Sequence, residues 1–109
     1  MSNHLKFYID GAWVDPVVPA TLDVIDPATE EVFTTISVGS KADVDRAVAA
    51  ARAAFETFSQ TTKAERLALL RAILGAYNDR FEDIARAVSR EMGAPIGFAR
   101  ESQAWAGRA

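Results

Sequence analysis

At Ser40 the hydrophobic rhythm of this chain changes, and the change limits its fold more than any other feature. Before it, apolar side chains recur at every second position: Leu22 and Val24, then Val32, Ile36 and Val38 with Thr34 between. After it they recur at helical spacing, through Val44, Ala47, Val48, Ala51, Phe55 and Phe58. Strand rhythm confined to the first third and helix rhythm to the rest define an α+β chain with segregated elements. The expected architecture is two N-terminal β-hairpins over 1–39 and three to four α-helices over 40–109, forming a single segment.

Turn chemistry sharpens that outline. Lys6–Ile9 and Ala12–Val14 are short runs of aromatic and branched residues joined by Asp10-Gly11. A type I′ turn needs positive φ at both central positions, which Asp tolerates and Gly accepts freely. Thr21–Ile25 and Val32–Val38 form the second pair, with Pro27 at the second position of a type I turn. Ser40 with Asp43, and Thr62 with Glu65, have the spacing of capping boxes and start two helices. Leu67, Leu70, Leu74, Tyr77 and Phe81 form the stripe of the second. Asn78-Asp79 breaks it from a third, which carries Ile84, Ala85 and Val88 inward. Gly93 closes that helix, and Pro95 stops it or begins a fourth through Ile96, Ala99, Gln103 and Ala106. The fourth helical pattern carries no stop before Ala109.

Composition narrows the function. The chain has 109 residues, half of them apolar, but 21 of them are alanine. Alanine buries little area at roughly 25 cal/mol per Å², so a segment that docks on something larger is favoured. The net charge of −3 offers no basic surface for nucleic acid. No apolar run approaches the roughly 20 residues that span a bilayer, and no secretory leader pattern opens the chain. A cytoplasmic location follows as the expectation. With no cysteine there is no disulfide and no thiolate nucleophile. His4 is the only histidine; with Ser2 it lacks the third, orienting group of a catalytic set and reads as a surface residue. Glu30 and Glu31 read as exposed turn residues. Trp13 is expected to pack against the helices.

Five motifs stand in order: Ile9-Asp10-Gly11-x-Trp13-Val14, Asp26-Pro27-Ala28-Thr29-Glu30-Glu31-Val32, Asp43-Val44-Asp45-x-Ala47-Val48-x-x-Ala51-x-x-Ala54-Phe55, a capped Leu-rich helix, and Glu91-Met92-Gly93-Ala94-Pro95. In this order and spacing, over nearly the whole chain, they resemble the opening of an NAD(P)-dependent aldehyde dehydrogenase. The resemblance implies the N-terminal part of an α/β, Rossmann-like cofactor domain, in an enzyme that oxidises an aldehyde to a carboxylic acid with NAD or NADP. In that family a cysteine attacks the carbonyl, hydride leaves to the nicotinamide, and water hydrolyses the thioester. The chain carries neither a cysteine nor a glycine-rich dinucleotide loop, so no catalytic or cofactor-binding residue is placed in it and the isolated chain is expected to be inactive.

The resemblance also implies a monovalent cation site, formed by the main-chain carbonyls of Val24 and Ile25 and by position 103. Gln103 stands there in place of a carboxylate, with Glu101 nearby, which favours water or a weakly held ion. The implied partners are the remainder of an aldehyde dehydrogenase chain or a homo-oligomer. Two alternatives remain: a non-catalytic helical interaction module, and a truncated product without activity of its own.

Overall fold

The computed structural model describes residues 3–107; Ser2 and Ala109 lie outside them. Four strands precede four helices: β1 (Phe7–Ile9), β2 (Ala12–Val14), β3 (Thr21–Asp26), β4 (Glu31–Ser37), α1 (Lys41–Phe58), α2 (Lys63–Asp79), α3 (Phe81–Met92) and α4 (Ile96–Ala106). The strands pair as two separate hairpins, β1 with β2 and β3 with β4. The contacts cluster into two compact units. The first holds residues up to Val24 and Val32–Thr61; the second holds Ile25–Glu31 and Thr62 onward. The base of the second hairpin belongs to the first unit and its tip to the second.

In the first unit, Asp10 and Gly11 have φ of 53° and 76°, the left-handed pair that a type I′ turn requires. They set Phe7 opposite Val14, Tyr8 opposite Trp13 and Ile9 opposite Ala12. Trp13 does not reach cover as expected. Its ring meets Tyr8 edge-on at 5.3 Å and stays half exposed, because the cross-strand register puts the two rings side by side on one face.

The Ser40 cap forms as its spacing predicts. Ser40 accepts the Asp43 N–H, while Asp43 accepts the Ser40 N–H at 2.9 Å and the Ser40 hydroxyl at 2.8 Å. The other Asp43 oxygen accepts the Val17 N–H at 2.9 Å. One buried carboxylate therefore starts α1 and fastens the Pro16–Pro19 loop to it. These bonds, the Val17 N–H foremost, hold the Asp43 carboxyl below its usual range.

In the second hairpin the alternation is present but its apolar face is open. Leu22, Val32, Ile36 and Val38 are exposed, whereas Phe33 and Thr35 are half-buried. The turn is also longer than the expected four residues. The Glu30 N–H donates to the Asp26 carbonyl at 2.8 Å, Ala28 N–H donates to Asp26 Oδ1 at 2.9 Å, and Glu30 takes φ of 60°. Asp26 organises this five-residue turn through its side chain, a local bond that competes with the plain type I closure.

The second unit repeats the capping box at Thr62 and Glu65. Helix α2 runs unbroken through Gly75 and ends at Asp79, beside the expected Asn78-Asp79 break. Gly93 closes α3 at φ 70°, its N–H donating to the Ser89 carbonyl at 2.9 Å. The Ser89 hydroxyl donates to the Ala94 carbonyl at 2.7 Å. Pro95 then serves as the residue immediately before α4, and its carbonyl accepts the Ala99 N–H at 3.0 Å. The fourth helix ends at Ala106, one residue before Gly107.

Ala85 of α3 and Ala99 of α4 are the only fully covered apolar residues among those described. Their small side chains let the two helices approach closely. By contrast Phe55 is 67% exposed and Leu70 61% exposed. Since burying one such side chain stabilises by roughly 1.5–3 kcal/mol, neither unit has gained most of what its apolar content offers. No described helix is long and apolar enough to cross a membrane.

Candidate functional site

Covalent catalysis needs an activated nucleophile and a base that reaches it. The carboxylates with shifted affinity for protons do not supply that base. Both Asp43 oxygens are occupied by the Val17 and Ser40 groups, and Glu65 is held by Thr62. Glu82 accepts from Arg100 Nε at 3.0 Å and Arg100 Nη2 at 2.7 Å, in a fork, and from Arg86 Nε at 3.2 Å. The Arg100 bonds, with help from Arg86, bring the Glu82 carboxyl down to about 2. This triad links α3 to α4 across eighteen positions of sequence, and every oxygen in it already faces a cation. A cleft beside β1 and α1 is lined by Phe7, Ile9, Val44 and Ala47. The carboxylate at its edge is Asp43, already fully engaged. No cluster of three His, Cys, Asp or Glu suited to a metal occurs among the described residues.

The oxygens proposed from sequence fall in distinct settings. Val24 is half-buried near the end of β3, in the first unit; Ile25 follows it, exposed, in the second. Gln103 is half-buried in α4, and Glu101 lies exposed two positions earlier. What position 103 meets was not legible in the chain. The Tyr77 hydroxyl of α2 donates toward the Gln103 carbonyl at 2.8 Å and toward Gln103 Oε1 at 2.9 Å. The Gln103 carbonyl also accepts the Gly107 N–H at 3.3 Å. The periodicity marked Tyr77 only as part of an apolar stripe; its phenolic end, which needs a partner when covered, was the signal available. Neutral amide and carbonyl oxygens are hard donors without formal charge. They fit water or a weakly held alkali ion, not a tightly bound one.

The described residues build two short hairpins and four helices, two of them started by capping boxes. The chain belongs to the aldehyde dehydrogenase family, whose model matches residues 13–106. It is 45% identical over 96 residues to 3-succinoylsemialdehyde-pyridine dehydrogenase from a Pseudomonas species, covering 88% of this chain and 20% of that protein. It therefore spans about a fifth of the length of the curated relatives it matches. Its fold matches the N-terminal region of aldehyde dehydrogenase structures. The Bartonella henselae enzyme superposes with a TM-score of 0.94 at 46% identity, over 98% of this chain and 23% of that one. Aldehyde dehydrogenase C of Pseudomonas syringae, solved with NAD+ and octanal, gives 0.88 at 49% identity, over 90% of this chain and 20% of that one. Betaine aldehyde dehydrogenase of Staphylococcus aureus, solved with NAD+, gives 0.86 at 35% identity, over 93% and 21%.

Proposed function

We propose that this chain is the N-terminal portion of a cytoplasmic oxidoreductase that oxidises an aldehyde to a carboxylic acid with NAD or NADP, and that it acts as scaffold rather than catalyst. Residues 1–109 form one segment of the cofactor-binding domain in this reading. The observation that carries it is the pairing of family membership with uncovered helix faces. Val44, Phe55, Leu70 and Ile73 are each more than half exposed, and exposed apolar patches above a few hundred Å² mark interfaces. Their partner is the remainder of an aldehyde dehydrogenase chain or a second copy in a homo-oligomer. Solved neighbours holding NAD+ favour NAD over NADP.

The reaction removes a hydride from the aldehyde-derived carbon to the nicotinamide and takes its second carboxylate oxygen from water. Both the sulfur that would hold the substrate and the dinucleotide loops fall outside this sequence. The purified chain, mixed with octanal and either dinucleotide, should produce no reduced cofactor. Turnover that survives repurification overturns the scaffold assignment. The competing reading, a free-standing interaction module, predicts that the chain captures a protein unrelated to aldehyde dehydrogenases.

The same reading retains Ile25 and Gln103, with Val24 by its place next to Ile25 in β3, as oxygen donors for a weak, exchangeable monovalent cation or a water. Sodium-23 line broadening on the chain tests it. Tight, slowly exchanging sodium, or no response even when position 103 carries a carboxylate, argues against it.

A further inference from the structure

We propose that the exposed face of the first hairpin docks an arginine side chain presented by a protein partner, with Tyr8 and Trp13 as the platform and Asp10 and Asp15 as its charged borders. The inference goes beyond the scaffold reading and uses none of the helix faces. It begins from an inversion of the usual amphipathic order. Side chains alternate across a strand; here Phe7, Ile9 and Val14 form the half-buried set, whereas Lys6, Tyr8, Trp13 and Asp15 are exposed. The two largest side chains of the hairpin therefore face solvent, Tyr8 at 63% and Trp13 at 51% exposure.

The register builds these residues into one surface. Tyr8 stands opposite Trp13, and their rings meet edge-on, 5.3 Å apart and 63° between planes. An edge-on pair covers a face of one ring only, so the other ring keeps both π faces free of its neighbour and able to attract a cation. One pair further along, Lys6 Nζ lies 3.5 Å from Asp15 Oδ1, and the Asp15 side chain stays 79% exposed. On the other flank Asp10, also exposed, borders a shallow cleft with Tyr8. Two carboxylates against one ammonium, itself facing Asp15, leave the face net negative. An apolar occupant would desolvate those carboxylates without a counter-charge. A guanidinium is flat and weakly hydrated; it stacks on an aromatic face while its N–H fork reaches a carboxylate.

The test titrates two blocked pentapeptides, Gly-Ser-Arg-Ser-Gly and its neutral citrulline counterpart, against the nitrogen-15-labelled chain, reading the indole N–H signals and the peptide methylene protons. The arginine peptide should move the Trp13 signal saturably, and its methylene protons should shift upfield under the ring. The citrulline peptide should bind roughly two- to fivefold more weakly, the factor of an exposed cation–π contact. Asp15→Asn, which retains both rings, should weaken binding of the arginine peptide and spare the citrulline one. Trp13→Leu should abolish the upfield shift; the citrulline comparison and Asp15→Asn keep the test decisive if that variant disturbs the hairpin amides. Trp105, 69% exposed on α4, is the internal control for an exposed indole. Equal affinity for the two peptides, unchanged arginine affinity in Asp15→Asn, an equal response at Trp105, or no saturable shift at Trp13 each overturns the proposal.

Discussion

Helices α1 and α2 on one side, and α3 and α4 on the other, solve the same problem with opposite emphasis. The first two have complete capping boxes at their starts, with every bond made within three residues. Yet Phe55, Val44, Leu70 and Ile73 on them remain exposed. The last two have no side-chain cap at all. They are held by the Ala85 and Ala99 crossing, the Glu82–Arg100 fork and the Ser89–Gly93–Ala94 turn. A helix can therefore be well specified locally and still lack most of its packing, whereas α3 and α4 are joined by tertiary bonds while Met92, Phe98 and Trp105 on them also stay exposed. Most helical stability in proteins comes from tertiary burial, so the two pairs differ in how their ends are held, while both leave apolar side chains uncovered.

The largest contrast should come from changing side-chain size at opposite depths. Ala99→Leu forces a larger side chain into a fully covered crossing and should cost about 1–3 kcal/mol, read as a lower urea midpoint for the helical signal. Phe55→Ser and Leu70→Ser should leave that midpoint nearly unchanged and reduce dye binding and self-association. Equal destabilisation by Ala99→Leu and Leu70→Ser would erase the distinction between the two helix pairs.

Next in size are the two kinds of helix end. At Gly93 a side chain meets both a positive φ and Pro27, whose Cγ lies 3.0 Å from the position of a Cβ. Gly93→Ala should cost about 1–2 kcal/mol, combining left-handed strain with that approach. Ser40→Ala and Thr62→Ala should each cost about 1 kcal/mol. Thr62→Ala should be the milder of these two, because Asp43 alone also holds Val17.

The smallest effect is electrostatic and sharpens the account of α3 and α4. Glu82 titrates at about 2 in the folded chain against 4.5 when unperturbed. A depressed folded value means that the unfolded chain binds the proton first as pH falls. The stabilisation is complete above about 4.5 and disappears as pH drops through about 2. Exposure of the triad and solvent screening keep it modest. Glu82→Gln should flatten the acid limb of the pH–stability curve, while Glu82→Asp should retain part of it. An unchanged slope in Glu82→Gln would assign the acid sensitivity to Asp43 and Glu65, whose carboxyls are also lowered.

How much could be read before folding follows from range. The Asp10-Gly11 turn, the Ser40 and Thr62 caps, the stop at Gly93 and the start at Pro95 depend on groups within about four residues of one another, so residue types at fixed offsets specify them. The ordered motifs also specified the family. Three kinds of feature escaped. The five-residue turn at Glu30 came from a side-chain bond of Asp26 that competes with a simpler closure. The exposure of Leu22, Val32 and Trp13 came from the absence of packing neighbours, which alternation does not encode. What meets Gln103 was not legible: Tyr77, twenty-six residues away, was seen only as apolar. The Asp43–Val17 and Glu82–Arg100 bonds likewise join positions far apart in the chain. The sequence by itself determined the Asp10-Gly11 turn, the starts of α1 and α2 and the stop of α3, because those bonds close over a few residues at little cost in chain entropy. Tertiary structure alone decided which polar groups meet and which apolar faces stay open, because those outcomes require distant segments to be brought together and packed at once.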